Sequence, residues 1–574
     1  MPGNLRRYEL TIGETELRID GRRARATTIN GSVPGPILRF REGEQAVIRV
    51  RNTLREDTSI HWHGIILPPE MDGVPGLSFP GIRPGETFEY RFTVNQAGTY
   101  WYHSHSGFQE QLGHYGALII EPKERSGPAY DREHVVMLSD WTFEDPHRVL
   151  SRLKKQPDAY NYQRRTVADF FRDVARDGFS ATVSDRWMWA GMRMNPTDIA
   201  DVTGATYSFL MNGQSADEPW AAQFQPGERV LLRVINAAAG SYFDLRIPDV
   251  PMTVVQVSGQ PVEPLETDEF RIAIAETYDV IVHLPDDKPY ALFAEAMDRS
   301  GFTAGLLAPR AGMTAEWPAR RRRGLLSMDD MGMDHAAMGH AGHGAAADDE
   351  DHAAMGHDMP PAAADDEHAG HDMSKMESAS TLRAPGTLPP ETPHGADTHG
   401  VGNAMVPTRT KSRLSEPGVG LGEDGRRVLV YSALRSAAPY PEFKAPTREI
   451  ELHLTGNMER YTWAIDGIPY HDAAPIEFAY GERLRLTLVN DTMMNHPMHL
   501  HGMWMELENG QGDRSPRIHT VNVKPAERVS LLVTADAPGR WAFHCHVLYH
   551  MEVGMFREVR VAAATGHEGH HGSH

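Results

Sequence analysis

One pattern occurs three times along this chain, in segments that begin at Ile29, Met211 and Ile465. The copies read INGSVPGPILRFREGEQAVIRVRNTL, MNGQSADEPWAAQFQPGERVLLRVINAA and IDGIPYHDAAPIEFAYGERLRLTLVNDT. Each contains a turn, a short strand, a Gly-Glu turn and an alternating strand that ends in asparagine; these asparagines are Asn52, Asn236 and Asn490. Alternation of period two between Gly- and Pro-rich turns is typical of β-sandwiches. The repeat therefore predicts three related β-sandwich units.

A second repeat relates only the two outer copies. Residues 82–105 (IRPGETFEYRFTVNQAGTYWYHSH) match residues 523–546 (VKPAERVSLLVTADAPGRWAFHCH), whereas the middle copy offers PYALFAEAMD at 289–298, without histidine. We therefore expect residues of the kind that bind metals in the first and third units and not in the middle one.

The predicted fold is all-β, with three cupredoxin-like Greek-key β-sandwich domains and a disordered Met/His-rich insertion. The expected division is residues 1–125 for the first domain, 126–317 for the second, 318–430 for the insertion and linker, 431–563 for the third domain and 564–574 for a His-rich tail. A stretch at about 146–185 breaks the strand pattern and suits a helical excursion in the second domain.

The segment 318–430 contains no aromatic residue, so we expect most of it to be disordered. Within it, Met328 to Met376 holds eight Met, seven His, twelve Asp or Glu and one Lys, which makes a possible site for extra copper. The heptapeptide DHAAMGH occurs at 334–340 and again at 351–357. Exact repetition favours selected metal contact, with slippage of a low-complexity tract as the alternative.

The composition excludes several partners. The 574-residue chain has 57 Lys and Arg against 78 Asp and Glu, a net charge of −21 that disfavours nucleic acid and anionic membrane surfaces. We expect no membrane insertion, because no apolar run approaches the ~20 residues that a membrane helix needs, and the first residues do not read as a signal peptide. A single cysteine stands against 30 His and 27 Met, an excess of metal ligands.

Four clusters of metal-ligand residues lie in the two outer copies of the repeat. Their members are His61 and His63; His103 and His105; His496, His499 and His501; and His544, Cys545 and His546, followed by His550 and Met555. Residues two apart in a strand share a face, so each His-x-His pair presents two imidazoles to one point. An isolated pair is more often satisfied by local hydrogen bonds. Four pairs at equivalent positions of two related units indicate metal sites.

The tripeptide His544-Cys545-His546 predicts two linked sites, because alternation sends the thiol to one face and both imidazoles to the other. A thiolate with two imidazoles and a long axial thioether is the type 1 copper set, which His496, Cys545, His550 and Met555 fit. The other eight imidazoles suit three copper ions.

The motifs HWHG, YHSH, HPMHLHG and HCHVLYHMEVGM resemble the four copper motifs of the multicopper oxidases, and the tract containing MDDMGMDH resembles the bacterial periplasmic copper-resistance branch. The resemblance implies four copper ions: one type 1, one type 2 and two type 3. It implies the type 1 ligands above, with His61 and His499 for type 2. For the type 3 pair it implies His63, His103 and His546 on one ion and His105, His501 and His544 on the other.

The implied activity oxidises a substrate one electron at a time at type 1 copper, passes electrons through Cys545 to His544 and His546, and reduces O2 to water at the other three ions. The implied substrate is Cu(I), also phenols or aromatic amines, with a role in copper tolerance. The alternatives are a general phenol-oxidising laccase and a periplasmic protein that sequesters copper. The periplasmic address and copper-handling partner proteins rest on the resemblance.

Two carboxylates are predicted to assist. Asp72 resembles the acid that follows HWHG in other members, and it would deliver protons or orient the type 2 water; the alternative is an Asp-Gly turn with Gly73. Glu110, five residues after His105, is the second and weaker choice.

Overall fold

The first and third units of the repeat enclose the metal-type residues, and each unit is a pair of packed sheets. The computed structural model describes residues 4–124, 127–333, 382–394, 403, 406–440 and 443–562. In the first unit one sheet contains β1 (Leu5–Ile19), β2 (Arg22–Ile29), β4 (Gln45–Asn52) and β6 (Thr87–Thr93), in the order β2-β1-β4-β6. The other contains β3 (Leu38–Arg41), β5 (His61–His63), β7 (Gly98–His103) and β8 (Tyr115–Glu121), in the order β3-β8-β7-β5.

The middle unit has a six-stranded and a five-stranded sheet. The first contains β9 (Arg132–Thr142), β10 (Tyr207–Met211), β12 (Glu228–Asn236), β14 (Met252–Val257), β15 (Gln260–Thr267) and β17 (Thr277–Leu284), in the order β10-β9-β12-β17-β14-β15. The second contains β11 (Trp220–Gln223), β13 (Phe243–Arg246), β16 (Glu269–Ile272), β18 (Tyr290–Ala296) and β19 (Phe302–Ala308), in the order β11-β19-β18-β13-β16. Between the middle and third units, β20 (Thr392–Pro393) pairs with β21 (Arg409–Thr410).

The third unit repeats this plan. One sheet contains β22 (Arg448–Asn457), β23 (Thr462–Ile465), β25 (Arg483–Asn490), β27 (Met505–Leu507), β28 (Arg517–Ile518) and β30 (Arg528–Thr534), in the order β23-β22-β25-β30-β27-β28. The other contains β24 (Ile476–Phe478), β26 (His496–Leu500), β29 (Thr520–Val523), β31 (Gly539–Cys545) and β32 (Phe556–Val561), in the order β24-β32-β31-β26-β29. The all-β prediction of three related cupredoxin-like units is confirmed, whereas the predicted boundaries between them stay predictions.

The Gly-Glu turn has one structure in all three units. Its glycines, Gly43, Gly227 and Gly481, have φ of +89°, +90° and +77°, a region that favours glycine. The following glutamate folds back, so that its carboxylate accepts a hydrogen bond from the backbone N–H three residues earlier: Glu44 from Arg41, Glu228 from Gln225 and Glu482 from Ala479. The turn thus closes on itself and starts the alternating strand in the same register each time.

The asparagine that ends this strand fixes the loop that follows. Asn52, Asn236 and Asn490 are fully buried. Each side-chain amide donates to two carbonyl oxygens, one four or five residues ahead and one in a more distant segment, as Asn490 does to Met494 and Val523. A buried amide without such partners would destabilise the fold. In the outer units the loop leads directly into the histidine-bearing strands.

The middle unit keeps this frame but replaces the metal-type residues. Phe243 of the middle unit pairs with Ile272, and at the equivalent position of the third unit His496 pairs with Val523. The Ile272 carbonyl accepts a hydrogen bond from Asn236, and the Val523 carbonyl accepts one from Asn490. Three positions further along, Arg246 of the middle unit pairs with Phe293, whereas His499 of the third unit pairs with His544. Two buried carboxylates beside Arg246, those of Glu269 and Glu295, are also paired with Arg321. Buried ion pairs therefore occupy the position of a metal site.

Helices occur where the strand pattern is lost. Within the described residues the α-helices are α1 (Pro146–Lys155), α2 (Val167–Asp177) and α3 (Phe179–Gly191), with α4 (Leu548–Val553) after β31. Asp145 caps α1, and Thr166 and Asp169 form a capping box on α2. In the described part of the chain the longest helix has 13 residues, and none has the length and apolar character needed to cross a membrane.

The prediction that most of 318–430 is disordered is wrong for residues 318–333, 382–394 and 406–430, which are packed on the folded units. Met328 and Met331 are buried, and Asp330 forms an ion pair with Arg413. The physical reason is that polar contacts hold this aromatic-free chain in place: the Gly386 N–H, for example, donates to the buried carboxylate of Glu508. Most of the Met/His-rich tract, residues 334–381, and the tail 564–574 lie outside the described residues.

Candidate metal centres

His496, Cys545 and His550 form a compact buried cluster at one end of the third unit. Their ligand atoms lie within 4.8 Å of one another. Cys545 Sγ is 3.5 Å from His496 Nδ1 and 3.7 Å from His550 Nδ1, and the two Nδ1 atoms are 3.2 Å apart. His496 lies on β26, Cys545 on β31 and His550 on α4, so that three elements meet at this cluster.

The chain after α4 returns to this cluster at Met555, which is fully buried. Its backbone carbonyl accepts from the Cys545 N–H at 3.1 Å, and its own N–H donates to the His550 carbonyl at 3.0 Å. Met555 is thus tied by its backbone to both neighbours. The ring of Trp463 covers His550 at a centroid distance of 4.0 Å and excludes solvent from the cluster.

Two residues that the sequence analysis did not find contact the outer nitrogens of these histidines. Thr492 Oγ1 lies 2.7 Å from His496 Nε2. Asp201, from the middle unit, lies 3.0 Å from His550 Nε2 and accepts a hydrogen bond from the Tyr461 hydroxyl at 2.6 Å. Thr492 lies two positions after the repeat asparagine Asn490, and this spacing could have predicted its place beside His496. No pattern in the sequence points to Asp201.

Eight further imidazoles meet between the first and third units. They are His61, His63, His103 and His105 from the first, and His499, His501, His544 and His546 from the third. The rings stack across the boundary, His63 on His499 at 3.8 Å and His61 on His501 at 3.9 Å between centroids. All are buried except His105, which is half-buried. The structure therefore brings every predicted histidine into one of two clusters.

The inward nitrogens of these imidazoles have no hydrogen-bond partner. This is the case for Nε2 of His61, His103, His105, His499 and His546 and for Nδ1 of His63. The remaining two, His501 and His544, face each other through Nε2 atoms 3.1 Å apart. Buried polar atoms are normally paired, so lone pairs gathered in this way fit metal ions as their partners.

The second nitrogen of several of these rings contacts a backbone carbonyl oxygen, and this contact orients the ring. Backbone carbonyls of Asp72, Ser104 and Cys545 lie 2.9 to 3.0 Å from Nδ1 of His61, His103 and His544. Burial, with the neighbouring imidazoles, lowers the pKa of His63, His501 and His546 well below the usual value, and burial lowers that of His544 to about 4. These four rings are therefore neutral at pH 7, the form that binds metals.

Asp72 and Glu110 both lie at the imidazole cluster. Asp72 Oδ1 is 3.2 Å from His61 Nδ1, and its Oδ2 is 2.8 Å from His501 Nδ1. Glu110 Oε2 is 2.6 Å from His103 Nδ1, and burial, with Asp140, raises the pKa of Glu110 well above the usual value. Each carboxylate thus contacts the outer nitrogen of a clustered imidazole, and neither points into the space between the inward nitrogens.

The two clusters are adjacent in the chain through β31. His544 and His546 belong to the imidazole cluster, while the side chain of Cys545 between them belongs to the other. Burial raises the pKa of the Cys545 thiol, so that a metal must displace its proton to bind the sulfur. A thiolate with two imidazoles is a soft donor set that suits copper, and imidazoles alone suit either of its oxidation states.

Comparison with known proteins agrees with this donor set. Three family models, each described as multicopper oxidase, match residues 11–125, 132–314 and 443–565. A copper resistance protein A homolog of Pseudomonas syringae pv. tomato is 54% identical over 560 residues, which cover 96% of this chain and 92% of that protein. Copper resistance protein A of Escherichia coli is 52% identical over 562 residues, with the same coverage.

The fold is shared with solved structures at much lower identity. The crystal structure of Fet3p, a multicopper oxidase that functions in iron import, is 18% identical with a TM-score of 0.64, and the match covers 97% of this chain and 90% of that one. A laccase from Botrytis aclada is 20% identical with a TM-score of 0.60, covering 97% and 88%. Given the family models, the relatives above half identity and the two clusters of copper-type donors, the chain belongs to the multicopper oxidase family.

Proposed function

We propose that this copper enzyme oxidises Cu(I) at a type 1 site, reduces O2 to water at a trinuclear site, and serves copper resistance. The observation that carries the proposal is the fully buried Cys545, whose side chain joins His496 and His550 while its two chain neighbours join the eight-imidazole cluster. A protein that only sequesters copper needs no such link. The bound copper ions would supply one-electron transfer at the first site and O2 reduction at the second.

The proposed ligands follow the motif positions. For type 1 copper they are His496, Cys545, His550 and Met555, and for type 2 they are His61 and His499. For the type 3 pair they are His63, His103 and His546 on one ion, and His105, His501 and His544 on the other. The last set is supported by its nitrogens, which lie within 4.8 Å of one another.

The chain's own residues would fix this arrangement before copper binds. Asp72 contacts the outer nitrogens of a proposed type 2 ligand and a proposed type 3 ligand, and Glu110 contacts that of His103. Such contacts set the tautomer and the ring orientation of a metal-binding imidazole. Proton delivery by Asp72 or Glu110 stays a prediction from the sequence.

Cu(I) is the proposed substrate, and the periplasm the proposed location, because the relatives at 52% and 54% identity are named for copper resistance. The Met/His tract supports the same substrate, since thioethers prefer Cu(I). Copper-handling proteins of that compartment would be the partners. Oxidation of phenols would occur at the same type 1 edge.

Replacement of Cys545 by serine tests the proposal. The copper-loaded wild type should hold four copper ions per chain, absorb strongly in the blue thiolate band and consume O2 with Cu(I) far beyond one equivalent per bound ion. Cys545→Ser should lose the band and the turnover but keep the other three ions, because only the type 1 site uses that sulfur. His134→Asn, a change in the middle unit, serves as the control.

Two results would contradict the proposal. O2 uptake that stops after one equivalent per copper would indicate sequestration. Turnover of wild-type rate in the variant without the blue band would show that Cys545 does not connect the sites.

A further inference from the structure

A ninth histidine, His519, lies behind the stacked rings of His63 and His499. It directly precedes β29 in the third unit, is 2% exposed, and groups with these two histidines, one nitrogen of each within 4.8 Å of the others. None of the four histidine motifs includes it. Its position indicates a contact with the outer side of the imidazole cluster, not with the space between the inward nitrogens.

The His519 side chain contacts a ligand candidate of the first unit. Its Nδ1 lies 3.2 Å from His63 Nε2, and Thr520 Oγ1 lies 3.1 Å from the same Nε2 and 3.0 Å from His519 Nδ1. The Nδ1 of His63 is the inward nitrogen without a partner. With its lone pair directed inward, the His63 ring carries its proton on Nε2 and donates it to this pair of acceptors.

The His519 backbone contacts a ligand candidate of the third unit. Its carbonyl oxygen accepts a hydrogen bond from His499 Nδ1 at 2.5 Å, which leaves His499 Nε2 as that ring's inward nitrogen. One residue therefore holds the outer nitrogens of two rings that stack at 3.8 Å across the boundary between units.

Gly64 explains how the ring comes so close. This glycine, the last residue of HWHG, has a φ of +79°, and a Cβ added there would lie 2.6 Å from Cδ2 of His519. A side chain at this position would push the His519 ring away from His63. The requirement for glycine is thus both conformational and steric.

We infer that His519 is a positioning residue of the trinuclear site: its side chain fixes His63 and its carbonyl fixes His499, so that rings from two units keep one geometry. This inference rests on the proposed function, since it takes both rings as copper ligands. His519 acts on these ligands through its Nδ1 and its carbonyl oxygen, while its Nε2 is buried without a hydrogen-bond partner.

The side-chain contact can be removed while the carbonyl stays. His519→Leu removes the acceptor, whereas His519→Asn keeps an amide group near the place of Nδ1. Thr520→Val removes the second acceptor with little change of shape. His134→Asn is the matched control, because that imidazole also makes one hydrogen bond, to the Gln223 carbonyl, in the middle unit. All variants are compared as copper-loaded full-length protein.

His519→Leu should lose copper to a chelator about tenfold faster than the wild type, the lower end of the effect of such outer contacts on metal affinity. The fraction of copper detected by EPR should rise, as a displaced ring uncouples the copper pair, while the blue band stays unchanged. His519→Asn should stay within about threefold of the wild type, and Thr520→Val should fall between them.

Wild-type copper retention and EPR in His519→Leu would overturn the inference. So would an Asn variant as defective as the Leu variant, since ring packing on Gly64 and not the hydrogen bond would then be decisive. If His519→Leu does not fold, His519→Ala, which removes the same Nδ1 acceptor, decides: faster copper loss supports the inference and wild-type behaviour overturns it. Failure of the proposed function itself would be seen separately, in a wild type without four copper ions or a blue band.

Discussion

Asp72 and His501 are joined by a contact of 2.8 Å between Oδ2 and Nδ1, although they are 429 positions apart in the chain. The turn at Asp72 makes this possible. Gly73 has a φ of +79°, and a Cβ there would lie 1.8 Å from the Ile60 carbonyl. The Asp-Gly turn, which the sequence offers as the alternative role for Asp72, is therefore present, and the same residue contacts two of the clustered histidines. Proton delivery or orientation of the type 2 water by Asp72 stays a prediction.

Replacing Asp72 should weaken copper binding. Asp72→Ala removes the carboxylate contacts with His61 and His501 and leaves only the backbone carbonyl of residue 72 on His61, so copper affinity and turnover should each fall at least about tenfold. Asp72→Asn, which keeps one acceptor oxygen, should fall less. The measurement is copper per chain after dialysis against a chelator, together with O2 uptake. Asp287→Ala, at an exposed ion pair, is the control, and an alanine variant that retained copper equally well would refute the role.

Replacing Met555 should change the reduction potential of type 1 copper without loss of the metal. Met555→Leu keeps the buried volume but removes a weak thioether donor, which disfavours Cu(II) more than Cu(I), so the potential should rise. Redox titration of the blue band measures it. Met137→Leu, a buried methionine on β9, should leave the potential unchanged. A lower potential in Met555→Leu would show that the thioether is not axial.

The Met/His tract should affect Cu(I) oxidation but not phenol oxidation. Because Met328, Asp330 and Met331 are anchored on the folded units, the deletion is confined to 334–376, which lies outside the described residues. Replacing it by a Gly/Ser linker of equal length should slow Cu(I) oxidation at low copper, as thioethers and acidic groups concentrate the cation. Phenol oxidation without added copper should be unchanged. An equal fall of both activities, or no change in either, would exclude recruitment.

The ion pairs of the middle unit should contribute strongly to stability. Arg321→Met takes the guanidinium away from the fully buried carboxylates of Glu269 and Glu295, which keep Arg246 at 3.3 and 3.5 Å. Glu295 also keeps Arg299 at 3.8 Å and the backbone N–H of residue 321 at 2.8 Å. Breaking a buried pair in this way costs about 3 kcal/mol. The midpoint of urea unfolding should fall accordingly. Arg310→Met, at an exposed pair with Asp287, should leave it nearly unchanged, and equal effects of the two variants would contradict the assignment.

His453 should make stability depend on pH in the alkaline range. Burial lowers its pKa, but hydrogen bonds to Asp491 and Glu451 prevail and raise it to about 9. Because the folded pKa lies above the unfolded value, the stabilisation is complete below about pH 6.5 and is lost as the pH rises through 9. Its size is on the order of 2 to 3 kcal/mol. The thermal midpoints of the wild type and His453→Gln should converge between pH 6 and 10; a constant difference would refute this.

The sequence predicts what depends on local period and misses what depends on distant packing. Asn52, Asn236 and Asn490 repeat because each closes the same local loop, and His61 and His63 share a face because strands alternate. Asp201 and His519 carry no such signal, since their partners His550 and His63 lie hundreds of positions away. Absence of aromatics wrongly predicted disorder in 382–394, because that segment is held by polar partners such as Glu508.

The division of eight imidazoles, four from each outer unit, has a consequence for how the protein opens. In the proposed ligand sets, copper held by His61 and His499, or by His105 and His501, would connect the first and third units. Separation of the first and third units would release the metal. Free copper at concentration [Cu] would therefore oppose that separation by a free energy of RT ln(1 + [Cu]/Kd). Copper supply would then set not only the activity of the molecule but also the cooperativity with which its two ends unfold.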